Sequence, residues 1–394
     1  MSKNEKGRVR GPATRVTHSG REPLAQHGFV NTPVYRGSTV LFPTYDKLVA
    51  YDQRYTYGRN TTPTTDALCE AIGELEGAAF TVLATSGLHA VSTAILSFVE
   101  AGDEILMTDS VYFPTRRFCD QVLARMGVKT IYYDPLIGGG ISELICDKTR
   151  LVFTESPGSQ TFEMQDIPAI VAAARAREKW VLMDNTWATP LYFRALDHGV
   201  DVSIQSATKY IVGHADALLG TIAANARAAP HVKRTSIALG NSAGSEETFL
   251  GLRGLRTLDV RLERHQRSGL EMANWLKARE EVAEVLHPGL PDCPGHDIWK
   301  RDFLGASGLF SIVLKPVSQA GLAALLDHLK FFGMGFSWGG YESLVVPFEC
   351  SNTRTATAWK RDGPALRLHI GLEDVADLKA DLEAGFARMA AAGS

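Results

Sequence analysis

Val202-Ser203-Ile204-Gln205-Ser206-Ala207-Thr208-Lys209-Tyr210 is the stretch that decides the fold. Its first four residues alternate apolar and polar, as a strand does, and a lysine follows just beyond a serine and a threonine. A lysine past the end of a buried strand, flanked by hydroxyls, suggests an amine held for covalent chemistry. The matching run lies 25 residues upstream, where Trp180-Val181-Leu182-Met183 ends in Asp184-Asn185-Thr186. An acid and a lysine at the carboxyl ends of two strands of one sheet look into a common crevice.

Working outward, the same rhythm repeats. Leu68, Ile72 and Leu75 recur at helical spacing, and Gly77 closes that segment as a C-cap does. An apolar run at 80–84 leads through Thr85-Ser86-Gly87 into a helix over 88–99. Further strands are expected at 104–107, 130–133, 151–154, 181–184 and 202–205, with a helix at 167–179 among them. Strands alternating with helices indicate βαβ units and a mostly parallel sheet covered on both faces. After about residue 245 the pattern predicts a long amphipathic helix over 246–279, broken near Gly251 and Gly254. Shorter strands at 284–286, 309–314 and 365–370 then imply a smaller α+β unit. Residues 1–60 show little periodicity and many Gly, Pro, Thr and Arg, and read as an extended arm. Such an arm has no core of its own, and a partner subunit is the natural surface for it. The expected division is therefore 1–60 as arm, 61–245 as the large domain and 246–394 as the small one.

Composition sets the outer limits. A chain of 394 residues, 45% apolar and 22% charged, has the make-up of an ordinary globular protein with a large core. A net charge of −3 gives no field to attract nucleic acid or an anionic membrane. Five scattered cysteines without CxxC pairing speak against a disulfide framework and a zinc site, and for a reducing, cytoplasmic setting. No uninterrupted apolar run reaches the roughly 18 residues of a spanning helix. The basic start, MSKNEKGRVRGPATR, lacks the apolar region of a secretory signal and reads as a surface tail.

The crevice suggests a particular cofactor. Pyridoxal phosphate needs a lysine for its Schiff base and a carboxylate for its pyridinium nitrogen, and Lys209 and Asp184 supply that pair. Thr85-Ser86-Gly87-Leu88, between a strand and a helix, offers exposed amides to an anion, with Ser206 and Thr208 as further phosphate donors. A solvated lysine after a strand, an Asx turn at Asp184 and a plain strand–helix turn would read the same locally. What favours the cofactor is their occurrence together, at the edge where such sheets bind ligands. Tyr112, a few residues past the strand at 104–107, is either a rim tyrosine or a ring stacked on the cofactor.

The chain resembles the Cys/Met-metabolism pyridoxal phosphate enzymes of fold type I, and within them the bacterial β-lyase branch. The matching motifs are Tyr57-Gly58-Arg59, TSGLHA at 85–90, ESPGS at 155–159, MDNTWATP at 183–190, SATKYIVGH at 206–214, GLRTLDVRLERH at 254–265, SWGGYESL at 337–344 and RLHIGLED at 367–374. The resemblance implies a seven-stranded type of sheet in the large domain. It makes Lys209 the Schiff-base lysine, Asp184 the partner of the pyridine nitrogen and Tyr112 the stacking ring. Ser86, Gly87, Leu88, Ser206 and Thr208 would hold the phosphate. Tyr57 and Arg59 would reach the phosphate of a neighbouring subunit, implying active sites shared within dimers of a homotetramer, with Tyr57 also near the substrate. Arg367 would grip the substrate α-carboxylate, for which a planar fork suits better than an ammonium.

Two places discriminate inside the family. The run Ser156-Pro157-Gly158-Ser159-Gln160 lacks the asparagine and second proline of the ESPxNP form, and Ser337-Trp338 stands where γ-acting relatives tend to have a glutamate. Both resemble the β-lyase pattern, with Ser337 and Trp338 shaping the substrate pocket. The expected reaction is β-elimination from L-cystathionine, with Lys209 taking the Cα proton and Lys209 or Tyr112 protonating the leaving sulfur. Competing readings are a γ-lyase, a fold type I aminotransferase and a cofactor-binding regulator without catalysis. Gly138-Gly139-Gly140 reads as a loop, the 11 histidines form no HExxH, no metal site is expected, and 261–267 reads as a solvated helix face.

Overall fold

The computed structural model describes residues 10–392, so most of the basic amino-terminal tail lies outside the described residues. The first sheet has seven strands: β1 (Phe80–Ala84), β2 (Glu104–Thr108), β3 (Lys129–Tyr133), β4 (Thr149–Glu155), β5 (Trp180–Asp184), β6 (Val202–Gln205) and β7 (Gly220–Ala224). They lie in the order β1-β7-β6-β5-β4-β2-β3, and β7 alone runs against the others. The mostly parallel sheet expected from the alternation is thus present, with one reversed strand.

Its central strands are apolar on both faces because both faces are covered. Leu106, Val152, Val181 and Met183 pack with Ile167, Ile170 and Val171 of helix Ile167–Arg175. Ile105, Leu151, Phe153, Leu182 and Ile204 pack with Ala90, Ala94 and Ile95 of helix Gly87–Leu96. The helix at Pro63–Glu76 starts on Thr62, whose hydroxyl accepts from the Thr65 amide at 3.2 Å. It stops at Gly77, whose φ of 74° favours glycine.

The second sheet comprises β8 (Val282–Leu286), β9 (Leu309–Leu314), β10 (Phe332–Gly333), β11 (Ser343–Phe348) and β12 (Ala365–His369), in the order β10-β11-β12-β9-β8. Phe310, Leu366 and Leu368 bury against helices Leu258–Lys277 and Val375–Ala391 through Met272, Leu276, Leu382 and Phe386.

Three expectations need correction here. The long helix breaks not at Gly251 or Gly254 but at Arg256 and Thr257, between helices Ser245–Leu255 and Leu258–Lys277. Gly254 is there for close approach: a Cβ on it would stand 2.2 Å from Val212 O. The corner is held by Arg256, which donates at 2.8 Å to the carbonyls of both Val16 and Ser19 in the arm. Nor is 261–267 a solvated face throughout. Arg261 and His265 are buried, and Arg261 donates at 2.7 Å to the carbonyls of Tyr210 and Gly254. A charge read as solvent-facing instead holds the turn just after Lys209. The Gly138–Glu143 segment is a 3-10 turn rather than a featureless loop.

Candidate active site

Strands β4, β5 and β6 are parallel neighbours, so their carboxyl ends open on one edge of the sheet. Glu155 and Asp184 stand in register there. Lys209 follows β6 on a connection closed by Thr208, whose amide donates to Leu219 O at 3.0 Å. The Lys209 Nζ donates to Ser337 Oγ at 2.7 Å and lies 5.2 Å from the centre of the Trp338 ring. Burial, helped by the Arg367 charge and opposed by Asp184, brings its pKa down from 10.5 to about 8. About a tenth of the amine is therefore deprotonated at neutral pH, far more than for an ordinary lysine.

Asp184 is shaped by its own turn. Its Oδ1 accepts from the Thr186 amide at 3.0 Å and the Thr186 hydroxyl at 2.5 Å, while Thr186 Oγ1 accepts from the Ser206 amide at 2.8 Å. Burial raises the Asp184 pKa, and the Thr186 bonds and Lys209 work against that rise. Thr186 thus ties the acid of β5 to the segment that carries the lysine.

The opposite end of the crevice is built for an anion. Ser86 caps helix Gly87–Leu96 by accepting from the His89 amide at 3.2 Å, which leaves its hydroxyl proton free to donate. The first amides of a helix have no acceptor within it. Ser206 lies directly against this terminus: a Cβ at Gly87 would sit 2.4 Å from Ser206 Oγ. Thr208 differs from the expectation in one respect, since its hydroxyl already donates to Leu219 O at 3.1 Å and accepts from Leu219 N at 2.9 Å. Leu88 presents its first-turn amide beside Gly87. Glycine-permitted close approach, free donors, a softened lysine and a buried acid together fit pyridoxal phosphate.

The second sheet supplies the lid of the site. Arg367 on β12 donates to Ser337 O at 3.1 Å, and burial lowers its pKa to about 10 against the pull of Tyr112. Ser337 sits at φ 107°, strained for a serine, and is held by Lys209 at its hydroxyl and Arg367 at its carbonyl. Gly339 has φ 85°, and a Cβ there would come within 3.0 Å of the Lys209 Cα. His369 places Nε2 3.1 Å from the Gly339 amide and so fixes this loop from β12. Tyr112 leaves 45% of its surface exposed at the mouth, and its amide donates to Glu155 Oε2 at 2.8 Å. Burial, Glu155 and Asp184 raise the phenol pKa, with Arg367 opposing.

Tyr57 and Arg59 make local contacts. They lie on the arm, where Tyr57 bridges Thr39 and the Arg59 guanidinium stands 5.6 Å from the Tyr57 ring centre. Sequence reasoning assigned no role to Glu155, Thr186, Gly339 or His369. Each lay inside a quoted motif, but their tasks are hydrogen bonds and close approaches that only the fold brings together. Among the described residues no group of His, Cys, Asp or Glu could hold a metal ion, and no helix is long and apolar enough to cross a membrane.

Comparison with known proteins points the same way. The family described as Cys/Met metabolism PLP-dependent enzyme matches residues 13–387. A Rhizobium johnstonii protein provisionally named cystathionine beta-lyase is 55% identical, covering 96% of each chain. Cystathionine beta-lyase of Escherichia coli strain K12 is 45% identical, over 95% of this chain and 98% of its own. The solved cystathionine gamma synthase of Xanthomonas oryzae pv. oryzae, in complex with aminoacrylate and cysteine, superposes with a TM-score of 0.91. It is 30% identical and covers 98% of this chain and 100% of its own.

Proposed function

The chain belongs to the Cys/Met metabolism PLP-dependent enzyme family, and on that premise we propose a carbon–sulfur β-lyase that cleaves L-cystathionine to homocysteine, pyruvate and ammonia. The observation that carries this reading is the Lys209 amine, with its pKa near 8, set between Asp184 below and Ser337, Trp338 and Arg367 above.

Lys209 and Asp184 would hold the cofactor at the sheet edge, with Ser86, Gly87, Leu88, Ser206 and Thr208 around its phosphate. Pyridoxal phosphate, when bound, supplies the electron sink that makes an amino-acid Cα–H acidic enough to break. Arg367 binds the substrate α-carboxylate through its planar fork, and Ser337 keeps that fork aimed. Lys209 Nζ takes the proton from Cα. Asp184, its Oδ1 held by Thr186, would stabilise a proton on the pyridine nitrogen. Homocysteine leaves from Cβ as its sulfur gains a proton from Lys209 Nζ or the Tyr112 hydroxyl; addition of water to the remainder gives pyruvate and ammonia. Proton transfers positioned in this way contribute roughly 10²–10⁴-fold each. Trp338 packs on Tyr210 at 5.4 Å between ring centres and narrows the pocket beside the amine. That supports cleavage at Cβ over the γ-position.

Residues 1–60 would act as the arm, 61–245 as the cofactor-binding unit and 246–394 as the unit that grips substrate. Tyr57 and Arg59 would complete the phosphate site of a second copy, within a homotetramer built from dimers in the cytoplasm. Exposed Leu24, Phe29, Leu41 and Tyr45 on the same arm support such a contact. Product identification with L-cystathionine tests the reaction. Pyruvate with homocysteine is expected, whereas 2-oxobutyrate with cysteine would make the enzyme a γ-lyase.

A further inference from the structure

Two carboxyls end adjacent strands at the floor of the site, and only Asp184 has a task in the reaction described above. Glu155 stands beside it in register. Its Oε2 accepts the Tyr112 amide at 2.8 Å, one hydrogen bond reaching 43 residues back along the chain. The end of β4 that carries Glu155 is itself fixed: Gln165 Nε2 donates to the Glu155 carbonyl at 2.5 Å, and the Tyr133 hydroxyl donates to Gln165 Oε1 at 2.9 Å. Glu155 is therefore a rigid post to which the Tyr112 turn is tied.

The charges around the two acids are unequal. Asp184 has two donors from Thr186 and faces Lys209, whereas Glu155 has a single backbone N–H. The groups whose fields reach Glu155 are Asp184, which repels its charge, and Arg354 from the segment between β11 and β12. Arg354 is already bonded to Glu163 at 3.3 Å and to Thr161. Two anions at neighbouring strand ends in a buried site repel, so one of them keeps its proton. Asp184, with two donors from Thr186 and the Lys209 amine facing it, is the one that stays charged.

We propose that Glu155 is a positioning residue, a neutral carboxylic acid that fixes the Tyr112 backbone, and with it the phenol ring, while leaving Asp184 the sole anion of the pair. The role given to Tyr112 rests on the β-lyase reading; the place of the proton does not.

Glu155→Gln keeps neutrality, shape and an acceptor, whereas Glu155→Ala removes the acceptor. In the wild-type protein at neutral pH, an infrared band of a protonated carboxyl is expected that Glu155→Gln abolishes. In the cofactor-loaded enzyme, Glu155→Gln is expected to keep kcat/KM within about threefold, with the acid limb of its pH profile unmoved. Glu155→Ala is expected to lose about 5- to 150-fold, mainly in kcat, as for a buried N–H left unpaired. Absence of the band, a shifted acid limb in Glu155→Gln, or a Gln variant as impaired as Ala would each overturn the proposal. So would an Ala variant equal to wild type. The infrared and Gln measurements do not require the Ala variant to fold. If wild type binds pyridoxal phosphate but does not cleave cystathionine, the β-lyase reading fails; the infrared band and any Ala-specific shift of the cofactor absorbance still decide the role of Glu155.

Discussion

The strand-end crevice and the amino-terminal arm stand in opposite states of completion. In the crevice, Lys209 and Arg367 both bond Ser337, Asp184 is held by Thr186, and burial has moved the proton affinities of the lysine, the acid and the arginine. On the arm, Tyr57 is 41% exposed, and Leu24 and Leu41 are 95% and 84% exposed. A buried polar group must find its partners inside the chain, because water cannot supply them. An exposed apolar arm has partners still to find. The crevice is thus closed on its own partners, while the arm keeps apolar surface in the open.

The comparison breaks most decisively at Lys209. Lys209→Ala should abolish the visible absorbance of bound cofactor and lower β-lyase turnover by at least about 10²–10⁴-fold. Retention of both, read by spectrophotometry and pyruvate release, would remove the lysine from the reaction. Next in size is Arg367→Lys, which keeps the charge but loses the fork. It should raise KM for cystathionine about 10- to 100-fold with a smaller change in kcat, the cost of a charge-assisted bidentate contact.

On the arm, Arg59→Ala should weaken pyridoxal phosphate binding about tenfold in a cofactor titration. Mixed with Lys209→Ala, it should regain activity, since a hybrid pair contains one intact composite site. Well-mixed oligomers without recovery would mean that each chain completes its own site.

The smallest effect sharpens the crevice floor. Glu76 is buried beneath β6, where it accepts from Ser203 Oγ at 3.0 Å and Gln205 Nε2 at 3.2 Å. Burial raises its pKa from 4.5 to about 7. The folded chain then binds a proton that the unfolded chain releases, so stability falls as pH rises from about 4.5 to about 7 and stays lower above. Glu76→Gln should flatten that fall and add about 1–3 kcal/mol above pH 7. Urea midpoints across pH measure this, and parallel curves for the two proteins would place the proton elsewhere.

The sequence revealed strands β2 to β6 because they are continuous or alternating apolar runs, the signature of a sheet covered on both faces. It concealed β7, whose Gly-Thr-Ile-Ala-Ala is all small or middling yet wholly buried. Strand β11 also escaped, since Pro347 breaks its pattern. Lys209 and Asp184 were legible as strand-end residues of unusual type. Glu155, Thr186 and His369 were not, because each acts through a bond to a distant segment or a tight turn. Arg261 was misread for the same reason: a charged helix position looks solvated until the carbonyls of Tyr210 and Gly254 are found around it.

The Thr208–Leu219 closure bears on how the site assembles during folding. Its three hydrogen bonds join residues only 11 apart, so the loop carrying Lys209 can close at a small entropic cost before distant strands pair. Asp184 reaches the lysine only through the parallel crossover from β5 to β6, and Arg367 only when the second sheet docks. The reactive amine is thus housed early, while the charges that tune it arrive late. Hydrogen exchange should find the Leu219 amide protected ahead of the Ser206 and Gly339 amides, whose acceptors come from Thr186 and His369.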